Sequence, residues 1–228
     1  MAAPIPMNTG QAPMSTDPRM LILTQWLSPA YPTGAFAWSH GLEAAIRAGW
    51  VRDAGSLESW LADLLSDGSG RSDAIFIALA EACRSNEELC EVDRTARAFA
   101  PSAERLRESD RQGAAFARVT RAVWDLDLPD CLLPVVLGRA VHLMTLPVQD
   151  VTALYLQNFA SNLIAAAQRL MPLGQTDGQA VLARLAPLCE SVAADAGGAG
   201  EDGLYSNCFL SDIAAMQHET QEPRLFQS

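Results

Sequence analysis

The sequence predicts an all-α protein: one helical bundle of about eight to ten helices, with a flexible segment at each end. Three observations carry that prediction. From Met20 onward apolar residues recur with a helical period almost everywhere. Runs of alternating, β-branched character are missing; Val135-Val136 comes nearest, and Pro134 before it suits the first turn of a helix. The 228 residues are 49% hydrophobic and 19% charged, enough apolar side chain for one sizeable core.

Along the chain, residues 1–19 are rich in Pro, Met, Ala and Thr without periodicity and read as a mobile tail. A helical core domain follows over residues 20–194. Between Ser102 and Trp124, Leu106, Gly113, Phe116, Ala117, Thr120 and Val123 form an apolar or small stripe, with Glu104, Arg107, Glu108 and Arg111 opposite on an expected solvent face. A second long helix spans Val148 to Leu170. Its small-residue run, Ser161 to Ala167, is suited to close helix approach, at the centre of the bundle or at a dimer axis. Gly174 suits a left-handed helix end, and Thr176 with Gln179 forms a capping-box pattern. Residues 195–203 hold glycines and no large apolar group, as a hinge would. Residues 204–228 resume structure as a partner-docking segment: Ser211 or Asp212 caps a short helix that carries Ile213 and Met216 on one side and stops before Pro223.

Composition excludes several chemistries. All 16 basic residues are arginine, so a P-loop, a kinase site or a Schiff base has no lysine to use. A net charge of −11 argues against nucleic acid as a ligand. The five scattered cysteines lack a Cys-x-x-Cys pair, which points to reduced thiols in a cytoplasmic protein. No uninterrupted apolar run is long enough for a membrane span. The three histidines, His40, His142 and His218, have no second ligand at metal-site spacing, so no resident metal or other cofactor is expected, and His142 reads as core or half-buried.

Two segments put specific polar residues among aromatics, prolines and glycines: Ser28 to Glu43 near the start, and Asp212 to Ser228. Ala37-Trp38-Ser39-His40-Gly41 nearly matches a nucleophile elbow, and Ser39, Asp212 and His218 would even fall in hydrolase order. The elbow needs a strand before it, and Pro32-Thr33-Gly34 is none. The plainer reading is a helix capped by Thr33, with Ser39 and His40 at or near a surface. In the tail, Arg224, Leu225 and Phe226 place an arginine beside two apolar residues, the residue types of interface anchors.

Together these segments resemble the UreF family of urease accessory proteins. Ser28, Pro29, Pro32, Gly34, Ala35, Phe36, Ser39, Gly41, Leu42 and Glu43 fit the family's opening pattern, and Gly49-Trp50-Val51 follows. The block from Ser161 to Gln179 and the tail from Asp212 to Ser228 also match, apart from Gln217 and Gln227 where the family tends to carry arginine, and Glu222-Pro223 where an aromatic-Ser pair is common. The resemblance implies a dimeric helical scaffold without chemistry of its own, which joins the accessory protein UreD/UreH, recruits the GTPase UreG and presents nickel to apo-urease. On that basis the tail residues Ile213, Met216, His218, Glu219, Arg224, Leu225 and Phe226 are expected to contact UreD. Ser28, Pro32, Ser39, His40, Glu43, Gln175 and Asp177 are expected to form the surface for UreG. The rival readings are a general helical adaptor unrelated to nickel and the Ser39 hydrolase.

Overall fold

The computed structural model describes residues 17–228, so most of the tail expected over residues 1–19 lies outside the described residues. Ten α-helices follow in order: α1 (Pro18–Trp26), α2 (Leu42–Arg47), α3 (Ala54–Asp67), α4 (Ser69–Ala82), α5 (Asn86–Ala98), α6 (Ala103–Trp124), α7 (Leu133–Met144), α8 (Val148–Leu170), α9 (Gln175–Ala199) and α10 (Phe209–His218). Single 3-10 turns sit at Ala35–Ala37 and Glu201–Gly203, and the described residues form no strand.

Helix starts follow local chemistry. Asp53 and Ser56 close a reciprocal capping box on α3, and the Ser85 and Ser102 hydroxyls accept from the amides of Glu88 and Arg105 to cap α5 and α6. Pro134 sits in the first turn of α7, where its missing N–H costs nothing. The central helix is α4, packed by α3, α7, α8 and α9. It buries Ala74, Ile75, Phe76 and Ile77 in succession, so its middle is covered on every side. Gly138 lets α7 approach it: a Cβ there would lie 2.4 Å from the Ile77 carbonyl oxygen. The bounds of α6 and α8 agree with those read from periodicity.

Several local expectations differ from the structure. The stretch read as a hinge is helical to Ala199, because α9 continues through Gly197 and Gly198. Val192, Ala193 and Ala196 are buried on α9, and that burial outweighs the roughly 1 kcal/mol each helical glycine costs. α9 starts at Gln175 from an extended Gly174, not a left-handed one, and Thr176 makes no cap. Its phase is set by Gly178, packed against Ile164 and Gln168 of α8. Thr33 caps nothing; the 3-10 turn starts from a left-handed Gly34 instead. α10 starts two to three residues earlier than the expected cap. The Asn207 amide donates to the Asp67 carbonyl at 2.9 Å and fixes the chain just ahead of it. In the small-residue run of α8, Leu163, Ile164, Ala166 and Ala167 are buried within this one chain, in the core. On α6, Glu104 and Glu108 are buried, while Arg107 and Arg111 are exposed as expected of a solvent face.

Candidate partner-docking site

The two unusual segments, nearly 190 residues apart, are bound to each other. Gly41, with φ of +76°, starts α2 in the left-handed region, and a Cβ on it would meet the Ala215 amide nitrogen at 2.7 Å. Only glycine allows α10 to lie so close across α2. Beyond α10 the tail returns along the Ala35–Glu43 segment, to which it is bound mainly through its own backbone. The amides of Leu225 and Phe226 donate to the Glu43 carboxylate at 2.8–3.0 Å. The Gln227 amide donates to the Ala37 carbonyl at 2.9 Å, and the Ser39 amide donates to the Ser228 carbonyl at 2.9 Å. The Ser39 hydroxyl also donates to the Ser228 carbonyl, and the His40 amide donates to Ser228 Oγ at 3.2 Å.

α6 supplies the other half of this clasp. The His218 imidazole, fully buried, lies 2.7 Å from Glu104 and 3.4 Å from Glu43. Arg224 donates to the second oxygen of Glu104. Glu219 accepts from the amides of Ala103 and Glu104 at 2.8 and 3.3 Å, so an acidic tail residue caps the N-terminus of α6. The Ser228 hydroxyl donates to Glu108 at 2.7 Å, and Glu108 is paired with the buried Arg105. The Phe226 ring is buried under the Arg169 guanidinium, 4.6 Å from its centroid.

Burial shapes the charges. It pushes His40 down to about 4, with the nearby Arg105 cation adding to the effect. His40 Nδ1 is 3.9 Å from Glu108, too far for a hydrogen bond, and stays unpartnered. Burial is the largest single influence and would raise Glu108, but Arg105, His40 and the Ser228 hydroxyl together outweigh it and hold this carboxyl at about 2. Asp73, beside the same cluster, is raised to about 6 by desolvation while accepting from the Tyr155 hydroxyl at 2.6 Å.

The expected site residues therefore divide. In the tail, Ile213, Met216 and Leu225 are exposed, and Arg224 and Glu219 are exposed but engaged with α6. His218 and Phe226 are buried and act within the chain, so they brace the segment and present no surface. Ser39, His40 and Glu43, expected at a partner surface, are buried beneath the tail because they are its receptor. Pro32, Gln175 and Asp177 are exposed and Ser28 is partly so. The hydrolase constellation is not assembled: Ser39 is buried with its hydroxyl on a carbonyl, and His218 faces carboxylates. Sequence reading missed Glu104, Arg105 and Glu108. Their only signal was an acid-Arg-acid cluster one turn long, which on a helix surface ordinarily means solvent.

What the clasp leaves outside is an apolar stripe. Phe209, Leu210, Ile213 and Met216 are 69%, 55%, 43% and 52% exposed, on the side of α10 opposite the buried Ala214, Ala215 and His218. So many large exposed apolar side chains on one short helix form an apolar face that no other part of the described chain covers. Among the described residues no group of three or more His, Cys, Asp or Glu could hold a metal ion, and no helix is long and apolar enough to cross a membrane.

Residues 51–186 match the family model described as UreF. A urease accessory protein UreF of Cereibacter sphaeroides is 54% identical over 209 residues, covering 92% of this chain and 98% of that one. The protein of the same name from Roseobacter denitrificans is 49% identical over 221 residues, covering 97% and 99%. That of Paracoccus denitrificans is 45% identical over 208 residues, covering 91% and 95%.

Proposed function

Because this chain belongs to the UreF family of urease accessory proteins, we propose that it is the scaffold that links UreD/UreH and the GTPase UreG to apo-urease, for GTP-dependent insertion of nickel. In this reading it acts in the cytoplasm, as a homodimer, without catalysing a reaction itself. Nickel is cargo that passes to urease. The observation that carries the proposal is the outward face of α10, apolar and exposed while its inner face and the tail beyond it are clasped to α2 and α6. A short helix would be marginal alone; pinned in this way, it offers a partner a preformed surface and lowers the ordering cost of binding.

UreD is the partner we assign to that face, through Ile213, Met216 and Leu225, with the clasp residues His218, Glu219, Arg224 and Phe226 holding it in place. UreG is assigned to the exposed blocks that hold Ser28, Pro32, Gln175 and Asp177. Ser39, His40 and Glu43 drop out of that surface because they are occupied by the tail. The test is co-elution with UreD, measured by light scattering. The double variant Ile213→Asp/Met216→Asp should lose UreD while keeping the wild-type melting temperature, since both side chains are exposed. Retention of UreD by that variant would remove the assignment. A general adaptor unrelated to nickel is separated by complementation: restored urease activity in cells lacking their own UreF supports the scaffold, and its absence with the protein soluble and folded favours the adaptor.

A further inference from the structure

Next to α10, and outside the clasp, a groove of roughly 410 Å³ runs between α3 and the chain that enters α10. Trp60, Asp63, Leu64 and Asp67 fall at i, i+3, i+4 and i+7 on α3, so a single helical stripe makes one wall. Cys208, Phe209 and Leu210 make the other. The walls are fixed to each other: the Asn207 amide donates to the Asp67 carbonyl at 2.9 Å and the Cys208 thiol to the Asp63 carbonyl at 3.0 Å. Leu64 and Cys208 are buried, whereas Phe209 and Leu210 stand open at the rim.

The groove carries uncompensated negative charge. Asp63 and Asp67 line it, and burial, then the carboxylates of Asp63, Asp212 and Asp67, push the Cys208 thiol up to about 12. Desolvation and the neighbouring Asp67 also raise Asp63. Asp67 accepts from the Ser66 and Tyr205 hydroxyls and Asp212 from the Ser206 hydroxyl, at 2.7, 3.5 and 3.2 Å, but none of the three acids has an arginine partner among the described residues. Trp60, nine-tenths buried, lines the same α3 wall.

We infer that this groove receives a partner segment in which an arginine or lysine lies beside an aliphatic side chain. The aliphatic group covers Leu64, Phe209 and Leu210, and the cation pairs with Asp63 and Asp67. Arginine and lysine suit such a site because their stems cover apolar surface while the charged head reaches the rim. A second copy of this chain, with its net charge of −11, is disfavoured as the occupant by charge. The inference rests on the reading that a UreD-type partner docks on this side of the molecule, since Phe209 and Leu210 belong both to the groove and to the α10 face.

The experiment titrates the full chain with the UreD-type protein at two salt concentrations, comparing the wild type with D63N/D67N and with I213D/M216D. The amide pair keeps shape and removes charge, so unchanged melting is expected for it. It should weaken binding about tenfold at ~50 mM salt and by less than about twofold at ~0.5 M. If only I213D/M216D weakens binding, the α10 reading stands and the groove inference is overturned. If only D63N/D67N does so, the groove stands and the α10 reading falls. Wild-type affinity in both variants, or no binding by the wild type, overturns both.

Discussion

Gly41 and Glu43 are the residues on which the two ends of the chain depend. Gly34 and Gly41 share the same left-handed φ, +75° and +76°, yet a Cβ at Gly34 meets nothing within 4 Å while one at Gly41 meets the backbone of Ala215. Gly34→Ala should therefore cost only backbone strain, about 1 kcal/mol, and Gly41→Ala at least about 2 kcal/mol more, because α10 must lift. Thermal and urea denaturation of the two variants check this, with equal losses as the contrary result. Glu43→Ala leaves two backbone amides and His218 Nε2 without their partner, a loss of at least about 3 kcal/mol at about 1–3 kcal/mol per orphaned group. It should speed amide exchange at Leu225 and Phe226 before any change in α4. Phe226→Ala should destabilise the fold itself by about 3 kcal/mol, since the ring is buried under Arg169 and not offered to a partner.

At the scale of elements, α9 and α10 show how context redirects local sequence. Gly197 and Gly198 lie in the last turn of α9, exposed, with open space where a Cβ would be built. Replacing each by alanine should stabilise the protein by about 0.5–1 kcal/mol, the reverse of the outcome for a hinge that needs its glycines. A lowered melting temperature would contradict the helical assignment. The long helices α6 and α8 were legible in the sequence because more than five turns of apolar period leave little ambiguity. The ends of α9 and α10 were not. Gly178 against α8, and the Asn207 amide on the Asp67 carbonyl, decide where those helices begin, and both are contacts between elements distant in sequence.

For the whole molecule, three titrating groups set how stability varies with pH. His40, at about 4 against an ordinary 6.5, is neutral when folded, so its contribution is full above pH 6.5 and lost as pH falls toward 4. Asp73, at about 6 against 3.8, works the other way: its contribution is full below 3.8 and lost as pH rises through 6. Glu108, at about 2 against 4.5, contributes above 4.5 and loses that contribution as pH falls to 2. Between pH 4 and 6 the first two oppose each other, and stability should vary little; below about 4.5 it should fall steadily through Glu108. Asp73→Asn removes the counterweight and should reveal a rise of roughly 3 kcal/mol from pH 4 to 6.5, read from urea midpoints. A flat profile in that variant would mean that His40 is not held neutral.

The sequence by itself determined the helical class, the long helices, the exclusion of lysine-dependent chemistry, and the two segments whose polar residues had no ordinary packing role. Those features are local: they depend on period, composition and spacing, which one stretch of chain carries whole. Ile213, Met216 and Leu225, expected from the sequence at a partner contact, are exposed. Only the tertiary structure decided that Ser39, His40 and Glu43 receive the tail, because a buried carboxylate that accepts backbone amides 182 residues away looks, in one dimension, like any solvated acid. The same holds for Glu104 and Glu108, buried by contacts that exist only once the tail has returned to α6. Pairing between distant backbone groups leaves no trace in the identity of the donating residues, and that is why the clasp had to be seen folded.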